Sequence, residues 1–483
     1  MIDELLVSAT PFGVRTAAIA EGKVVAFNAE AAQAPSLLGN IYMAAEGRRG
    51  GAAHFVAIGK EQNAFLEKSG GASSGSNPLV QVTRDAWRGK APRVSAEIAL
   101  AGRYMVFFPQ TTGASVARRI GDAAERDRLL ALARFIAEGR GADGGGDRDR
   151  DADGDGGGDR VGGGVTIRSA AEAAPDDAIL AEAARHRQHW SDLGAKRATT
   201  AAPALLARGP GLAERQMRDI LPPGARIVTD DRAMLARLTA YATVWTPELS
   251  PRLELAEAAL FERHDAMGAL AAALAPEVPL TGGGRLSIEP TPALTAIDVD
   301  TGVRAGARDR ALRAACGEAV IAAAREIRLR NLAGLIVIDF PRLDAANAGQ
   351  ALMANMQAQM KDDPVPHKVA GISASGLMEI TRRRGDAPIL EALTEAVEGG
   401  YGGRRRRLDA LAFDIAQAAR LQVQAGARAV TLCVAPALAE FLSQVTCDGG
   451  DTGYAALSAW LRAAVTLREE PARRRDDWAI ETA

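Results

Sequence analysis

Between residues 284 and 340 the chain reads strand, long helix, strand, and that order leaves it few ways to fold. "GRLSIEP" and "ALTAIDVD" have the β-branched and apolar character of half-buried strands. In "DRALRAACGEAVIAAAREIRLRNL", Leu312, Cys316, Val320, Ala323 and Ile327 recur every three or four residues, which predicts one apolar stripe to lay on a sheet. "GLIVIDF" is nearly all apolar and predicts a strand buried on both faces. Two strands joined by such a crossover helix within one sheet are almost always parallel, so "ALTAID" and "GLIVID" end at the same edge. Asp298 and Asp339 then face a common space, at the kind of edge where open α/β sheets bind ligands. Asp300 shares the face of Asp298 by the two-residue strand period. Hard oxygen ligands in this arrangement make a magnesium site with open water positions. Aspartate also ends strands as the first residue of a turn, and "DTG" is turn-like, so the motif alone leaves both readings open. A carboxylate closing a strand buried on both faces weights the choice towards the metal, because without a partner it is costly.

The rest of the chain sets the frame for that unit. At 483 residues it is long enough for two to four domains and for sizeable cores. Its 24% charged residues and 47% hydrophobic residues are those of a globular protein. A net charge of -2 gives no global attraction for nucleic acid, so a polyanion site has to be a local concentration of Arg and Lys. Cys316, Cys433 and Cys447 are odd in number and far apart, which excludes a disulfide framework or a CxxC zinc motif and points to a reducing, cytoplasmic setting. The acidic start "MIDELLVSATPFGVR" is unlike a signal peptide, and no apolar run reaches the roughly 18 residues of a membrane span.

Ahead of the crossover unit, "ELLVSA", "GVRTAAIAEG" and "KVVAFNAE" predict a strand meander. "GNIYMAAEG", "AHFVAIG", "NAFLEK" and "LVQVTRDAW" follow closely and suggest a small antiparallel barrel of the oligonucleotide-binding type. Residues 139–164 are low-complexity Gly, Asp and Arg with almost nothing to bury, and read as a disordered insert. After it, "GVTIRSA" reads as a strand running into the helical "AILAEAARHRQHW". At the far end, "LDALAFDIAQAARLQVQ" and "AVTLCVAP" predict a small α/β tail, with the last residues, "REEPARRRDDWAIETA", frayed.

"ALTAIDVDTG", "AREIRLRNLAGLIVIDF" and "GLMEITRRR", with the N-terminal "ELLVSATPFGVRTAAIAEGKV" and "GNIYMA", resemble the ribonuclease E/G family over most of the chain. The resemblance implies a multidomain α/β fold: a DNase I-like nuclease domain (276–386), a discontinuous ribonuclease H-like subdomain (1–36 and 201–275), and an inserted OB-fold, S1-type barrel (37–97). It also implies a 5′-end sensor region (98–200) and a small C-terminal α/β domain (387–483). The implied activity is magnesium-dependent endonucleolytic hydrolysis of single-stranded RNA, in RNA processing or decay, with preference for 5′-monophosphorylated substrates. Asp298 and Asp339 match the family's metal-binding aspartates, and Asp300 stands where the family usually has a catalytic Asn. Phe55 and Phe65 match its base-contacting phenylalanines, with Lys90 beside them; on pattern alone one or both rings read rather as barrel core. Arg168, Ser169, Gly102 and Val106 match the pocket for a 5′-monophosphate, where a guanidinium, a hydroxyl and a nearby helix N-terminus suit phosphate. The pocket's further basic contact falls near Pro366, with His367 and Lys368 as substitutes.

Arg118 and Arg119, and Arg382 to Arg384, read as phosphate contacts or as a solvated basic face. Arg404 to Arg407 read as a mobile linker rather than an anion site, and His189 with Trp190 as a packing pair. Where the family carries its zinc link between subunits this chain has "ILEALTEAVEGGYGGRRRR", so no structural zinc is expected and a homo-oligomer would need another interface. The rival reading is a catalytically inactive RNA-binding or scaffold protein of the same family. A small-molecule magnesium phosphohydrolase leaves the barrel unexplained.

Overall fold

The structure, a computed structural model, describes residues 2–50, 53–67, 77–87, 89–139, 162–256, 260–302, 308–341, 348–373, 376–397, 403–447 and 450–482. The chain divides into two compact units, Met1–Pro35 with Leu212–Ala242 and Pro247–Ala483, and Ser36–Gly211 with Thr243–Thr246. Most of the predicted insert 139–164 lies outside the described residues.

In the first unit, the N-terminal meander Glu4–Thr10, Gly13–Ala20 and Lys23–Ala31 is extended by the parallel strands Arg226–Thr229 and Leu253–Leu255 into one five-stranded sheet. Its central strand is covered on both sides: Leu5 and Val7 pack with Met217, Met234 and Leu238, while Leu6 packs with Ile19, Phe27 and Leu270.

The crossover unit forms as its periodicity predicts. Leu294–Asp300 and Gly334–Asp339 are parallel neighbours at the centre of a six-stranded sheet of order 277–279, 285–290, 294–300, 334–339, 377–382, 367–372. The helix Arg308–Leu329 lays Cys316, Val320, Ala323 and Ile327 on Ile297, Val299, Ile336 and Ile338, and Met356 and Met360 of the helix Ala348–Met360 join the same core. Burying each such side chain contributes about 1.5–3 kcal/mol. Both helices contribute to this one core, so "GLIVID" is not buried on both faces as its apolar run predicts. Ile336 and Ile338 are buried, Leu335 and Val337 half-buried, and Asp339 exposed.

The C-terminal end departs from expectation twice. Trp478–Thr482 is not frayed but pairs antiparallel with Ala429–Val434, because Trp478 and Ile480 alternate onto the local core. Arg404–Arg406 is not a linker but a strand paired with Thr394–Ala396. Arg405 meets Glu395 at 2.8 Å, Arg406 meets Asp414 at 2.6 Å, and Arg407, ahead of the helix Leu408–Gln424, is held by Asp409 at 2.6 Å in the first helical turn. First-turn acid offsets the arginine that would otherwise oppose the helix dipole.

In the second unit, successive strand pairings run from Ile41–Met43 through 79–84, 93–95, 63–66 and 53–57 to Ala45–Gly50. The first and last members are halves of one segment separated only by Ala44, so the pairings close into a ring around Tyr42, Val56, Ala64, Val80, Val82 and Val94. A four-stranded sheet of order 100–101, 105–108, 164–167, 114–116 packs with the helices Ala123–Ala137 and Asp176–Thr199. No helix among the described residues is long and apolar enough to cross a membrane.

Candidate functional site

Parallel pairing makes Asp298 and Asp339 register partners on adjacent strands. Both are exposed, on the sheet face opposite the buried Ile297, Val299 and Ile338. Among the described residues neither carboxylate has a hydrogen bond or an ion pair. Neighbouring strands lie about 5 Å apart, and at that distance two like charges repel by about 1 to 3 kcal/mol at high to intermediate dielectric. A divalent cation relieves that repulsion. Among the described residues no group of three or more His, Cys, Asp or Glu is arranged to hold a metal, so the donor set here is the pair itself. One or two carboxylates with retained waters is how magnesium is commonly held.

Asp300 lies on the same face but is engaged otherwise. Its Oδ1 accepts from the Gly302 N–H at 2.9 Å, and its Oδ2 lies 3.4 Å from Arg285 Nη2. The chain can pass this close only because Gly284, at φ +90°, has no side chain: a Cβ there would fall 2.2 Å from the Asp300 carbonyl oxygen. Arg382, read as a phosphate contact or solvated face, is neither. It is buried and holds Asp363 through Nε at 2.7 Å and Nη2 at 3.1 Å. His367 is also tied inward, with Nδ1 2.9 Å from the Val365 carbonyl oxygen, whereas Lys368 is exposed.

In the second unit Phe55 and Phe65 are register partners, their rings 5.8 Å apart edge to face. Both are half-buried and sit outside the ring's core, which their neighbours Val56 and Ala64 enter. The barrel-core reading of the two rings therefore does not hold. Lys90 is exposed and paired through its backbone with Trp87. Arg93, which the sequence did not single out, pairs with Phe65 in register, sets its guanidinium 5.8 Å from that ring and reaches Glu67 at 3.2 Å.

The remaining group is brought together by a second residue that the sequence reading missed. Glu182, wholly buried on the helix Asp176–Thr199, accepts the backbone N–H groups of Arg103 at 2.8 Å, Tyr104 at 2.9 Å and Met105 at 2.9 Å. Such a set of amides is a strong acceptor site for one carboxylate. Gly102 begins this turn, and a Cβ there would lie 2.2 Å from Glu182 Oε1 and 2.6 Å from His186 Nε2. Arg168 Nη1 donates to the Gly102 carbonyl at 2.5 Å, and the Arg168 amide to Tyr104 at 2.7 Å. Val106 lies beside them, paired with Thr166. Ser169 is exposed and opens a 3-10 turn of only three residues, so the expected helix N-terminus adds little here. The sequence signal for Glu182 is a carboxylate on the face shared by Ile179, Ala183, His186 and Leu193. His189 and Trp190 do pack, His189 edge-on to Trp245 at 6.4 Å and Trp190 against the core.

The model of the Ribonuclease E/G family matches residues 99–385, which hold Asp298, Asp339 and the Arg168 group. The chain is 32% identical to a ribonuclease E of Nostoc sp. over 335 residues, 67% of this chain and 45% of that protein. It is 28% identical to ribonuclease G of Escherichia coli over 446 residues, 86% of this chain and 87% of that one. Ribonuclease G of Haemophilus influenzae is 26% identical over 443 residues, 85% of this chain and 86% of its own length.

Proposed function

The chain belongs to the ribonuclease E/G family, and from that premise we propose that it is a magnesium-dependent endoribonuclease that hydrolyses single-stranded RNA in RNA processing or decay. The observation that carries this reading is the pair of exposed, register-matched carboxylates Asp298 and Asp339, neither of which meets a cation among the described residues. On this reading the six-stranded sheet is the DNase I-like nuclease domain, the strand ring is the S1-type OB fold, and the five-stranded sheet is the ribonuclease H-like subdomain.

The two aspartates would hold the magnesium ion, which supplies an activated water and stabilises charge on the scissile phosphate. Asp300, turned to Arg285 and the Gly302 amide, fixes the strand end that carries Asp298. Phe55 and Phe65, presented outside the barrel core with Arg93 and Lys90 nearby in sequence or space, offer a stacking platform for single-stranded bases. Arg168, held against Gly102 with Ser169 exposed beside it, would receive a 5′-monophosphate.

The test is to incubate the protein with a 5′-monophosphorylated single-stranded oligoribonucleotide, with magnesium and with a chelator. Internal cleavage only with magnesium is expected. Tight binding with no cleavage under either condition would overturn the enzyme reading in favour of a non-catalytic RNA-binding protein.

A further inference from the structure

In the C-terminal part of the first unit, the helix Gly453–Leu461 turns Gly453, Ala456, Leu457 and Leu461 into the core. Its outward side, with Arg428 and the first residues of the strand Ala464–Glu469, lines an open basin of about 660 Å3. That is within the roughly 300–1,000 Å3 of small-molecule sites. Ala455, Ala459, Tyr454, Arg428 and Arg462 are among the residues that line it.

Two features bear on what this basin could hold. Arg405, Arg406, Arg407, Arg420, Arg468 and Arg475 in the same part of the chain are each held by a carboxylate. The side chains of Arg428 and Arg462 make no hydrogen bond or ion pair among the described residues, and both are exposed on the same cavity. Arg462 also caps the helix in the left-handed conformation, φ 54°, where glycine is the usual residue. Tyr454, on the same lining, is an exposed large aromatic.

We propose that this basin binds a nucleotide unit of single-stranded RNA, with the phosphate between Arg428 and Arg462 and the base on the ring of Tyr454. Guanidinium groups take phosphate through paired donors, and an aromatic ring takes any base. The proposal rests on the reading that the chain acts on RNA and adds to it a further contact for the strand, in the C-terminal part beyond the matched residues 99–385.

The test uses the full chain without magnesium and three probes: a fluorescent oligoadenylate, AMP and inorganic phosphate. Arg428→Ala and Arg462→Asn, the latter chosen because asparagine tolerates the left-handed cap, should each weaken oligoadenylate binding and lower its log affinity–log salt slope by about 0.7. Tyr454→Leu should weaken the oligoadenylate at least about fivefold and leave inorganic phosphate unchanged. Repeating the series in a Phe55→Ala, Phe65→Ala background keeps the barrel from masking the effect. Unchanged oligoadenylate affinity and slope in all three variants overturns the site, and AMP binding without a variant-sensitive oligoadenylate overturns its assignment to RNA. Variant-sensitive binding by a protein that cleaves no RNA refutes the proposed activity while leaving the basin standing.

Discussion

The strand Gly334–Asp339 meets acids under opposite conditions at its two ends. At the first residue it pairs with Arg382, whose buried guanidinium holds the wholly buried Asp363 and also donates to Asn331 Oδ1 at 2.8 Å and the Leu332 carbonyl at 3.0 Å. At the last residue Asp339 sits beside Asp298, both exposed and without a partner among the described residues. One charge is neutralised by the fold and fixes it; the other two are left facing outward at a cost in repulsion. A sheet that, among the described residues, supplies an arginine to the acid at one end and none at the other separates architecture from chemistry along a single strand.

That contrast is broken most directly at the outward end. Asp298→Asn and Asp339→Asn each remove a proposed metal ligand and are expected to lower the cleavage rate by about a thousandfold or more, about 4 kcal/mol. Each also removes one like charge of the pair, so the melting temperature should hold or rise. Binding of RNA without magnesium should stay near the wild-type value. Wild-type rates in both variants would end the assignment.

The opposite end should answer with stability. Asp363→Ala leaves a buried guanidinium uncompensated and is expected to cost about 3–5 kcal/mol in denaturant unfolding. If Asp363→Ala unfolded no more easily than Asp339→Asn, the two ends would not differ in the way their partners suggest.

Two smaller effects extend the comparison to the second unit. Arg168→Ala should weaken action on 5′-monophosphorylated RNA by about 1.5–3 kcal/mol and leave 5′-hydroxyl RNA almost unaffected. Equal losses on both substrates, shrinking with salt, would make Arg168 part of a general basic face. Phe55→Ala or Phe65→Ala should weaken RNA binding by about 1–3 kcal/mol while the melting temperature changes little, since neither ring is in the barrel core. Unfolding of these variants would restore the core reading.

What the sequence made legible follows from the range of each signal. The crossover unit was readable because helix and strand periods are local, and because a parallel connection fixes which residues meet: Asp298 and Asp339 pair as the topology requires. The burial of "GLIVID" was misread because an apolar run does not tell how many faces are covered, which here depends on helices elsewhere in the chain. Arg382 and Arg405 to Arg407 were misread for the same reason: their neutralising partners Asp363, Glu395, Asp414 and Asp409 are known only from the fold. The last strand was missed because Trp478 and Ile480 are too few to form a pattern until they are set beside Ala429–Val434. Glu182 left a trace, a charge on the face shared by Ile179 and Ala183, but its partners are backbone amides some eighty residues away, and amides have no sequence signature.

The smallest expected effect concerns a basic group that the fold keeps from charging. Burial lowers the pKa of His189 below its ordinary value of 6.5, and the neighbouring His186 lowers it further, while Asp192 opposes them and Lys196 adds to the lowering. The ring packs edge-on to Trp245, where a proton is less welcome than in water. Between the folded value and the ordinary one, the unfolded chain therefore binds more protons than the folded chain. Its contribution to stability is complete above the ordinary histidine value and is lost as pH falls through it towards the folded value. Melting temperatures of wild type and His189→Gln, measured from pH 7.5 down to pH 5, should diverge in slope, the wild type falling more steeply below about pH 6.5. Parallel slopes would mean that His189 charges freely in the folded protein.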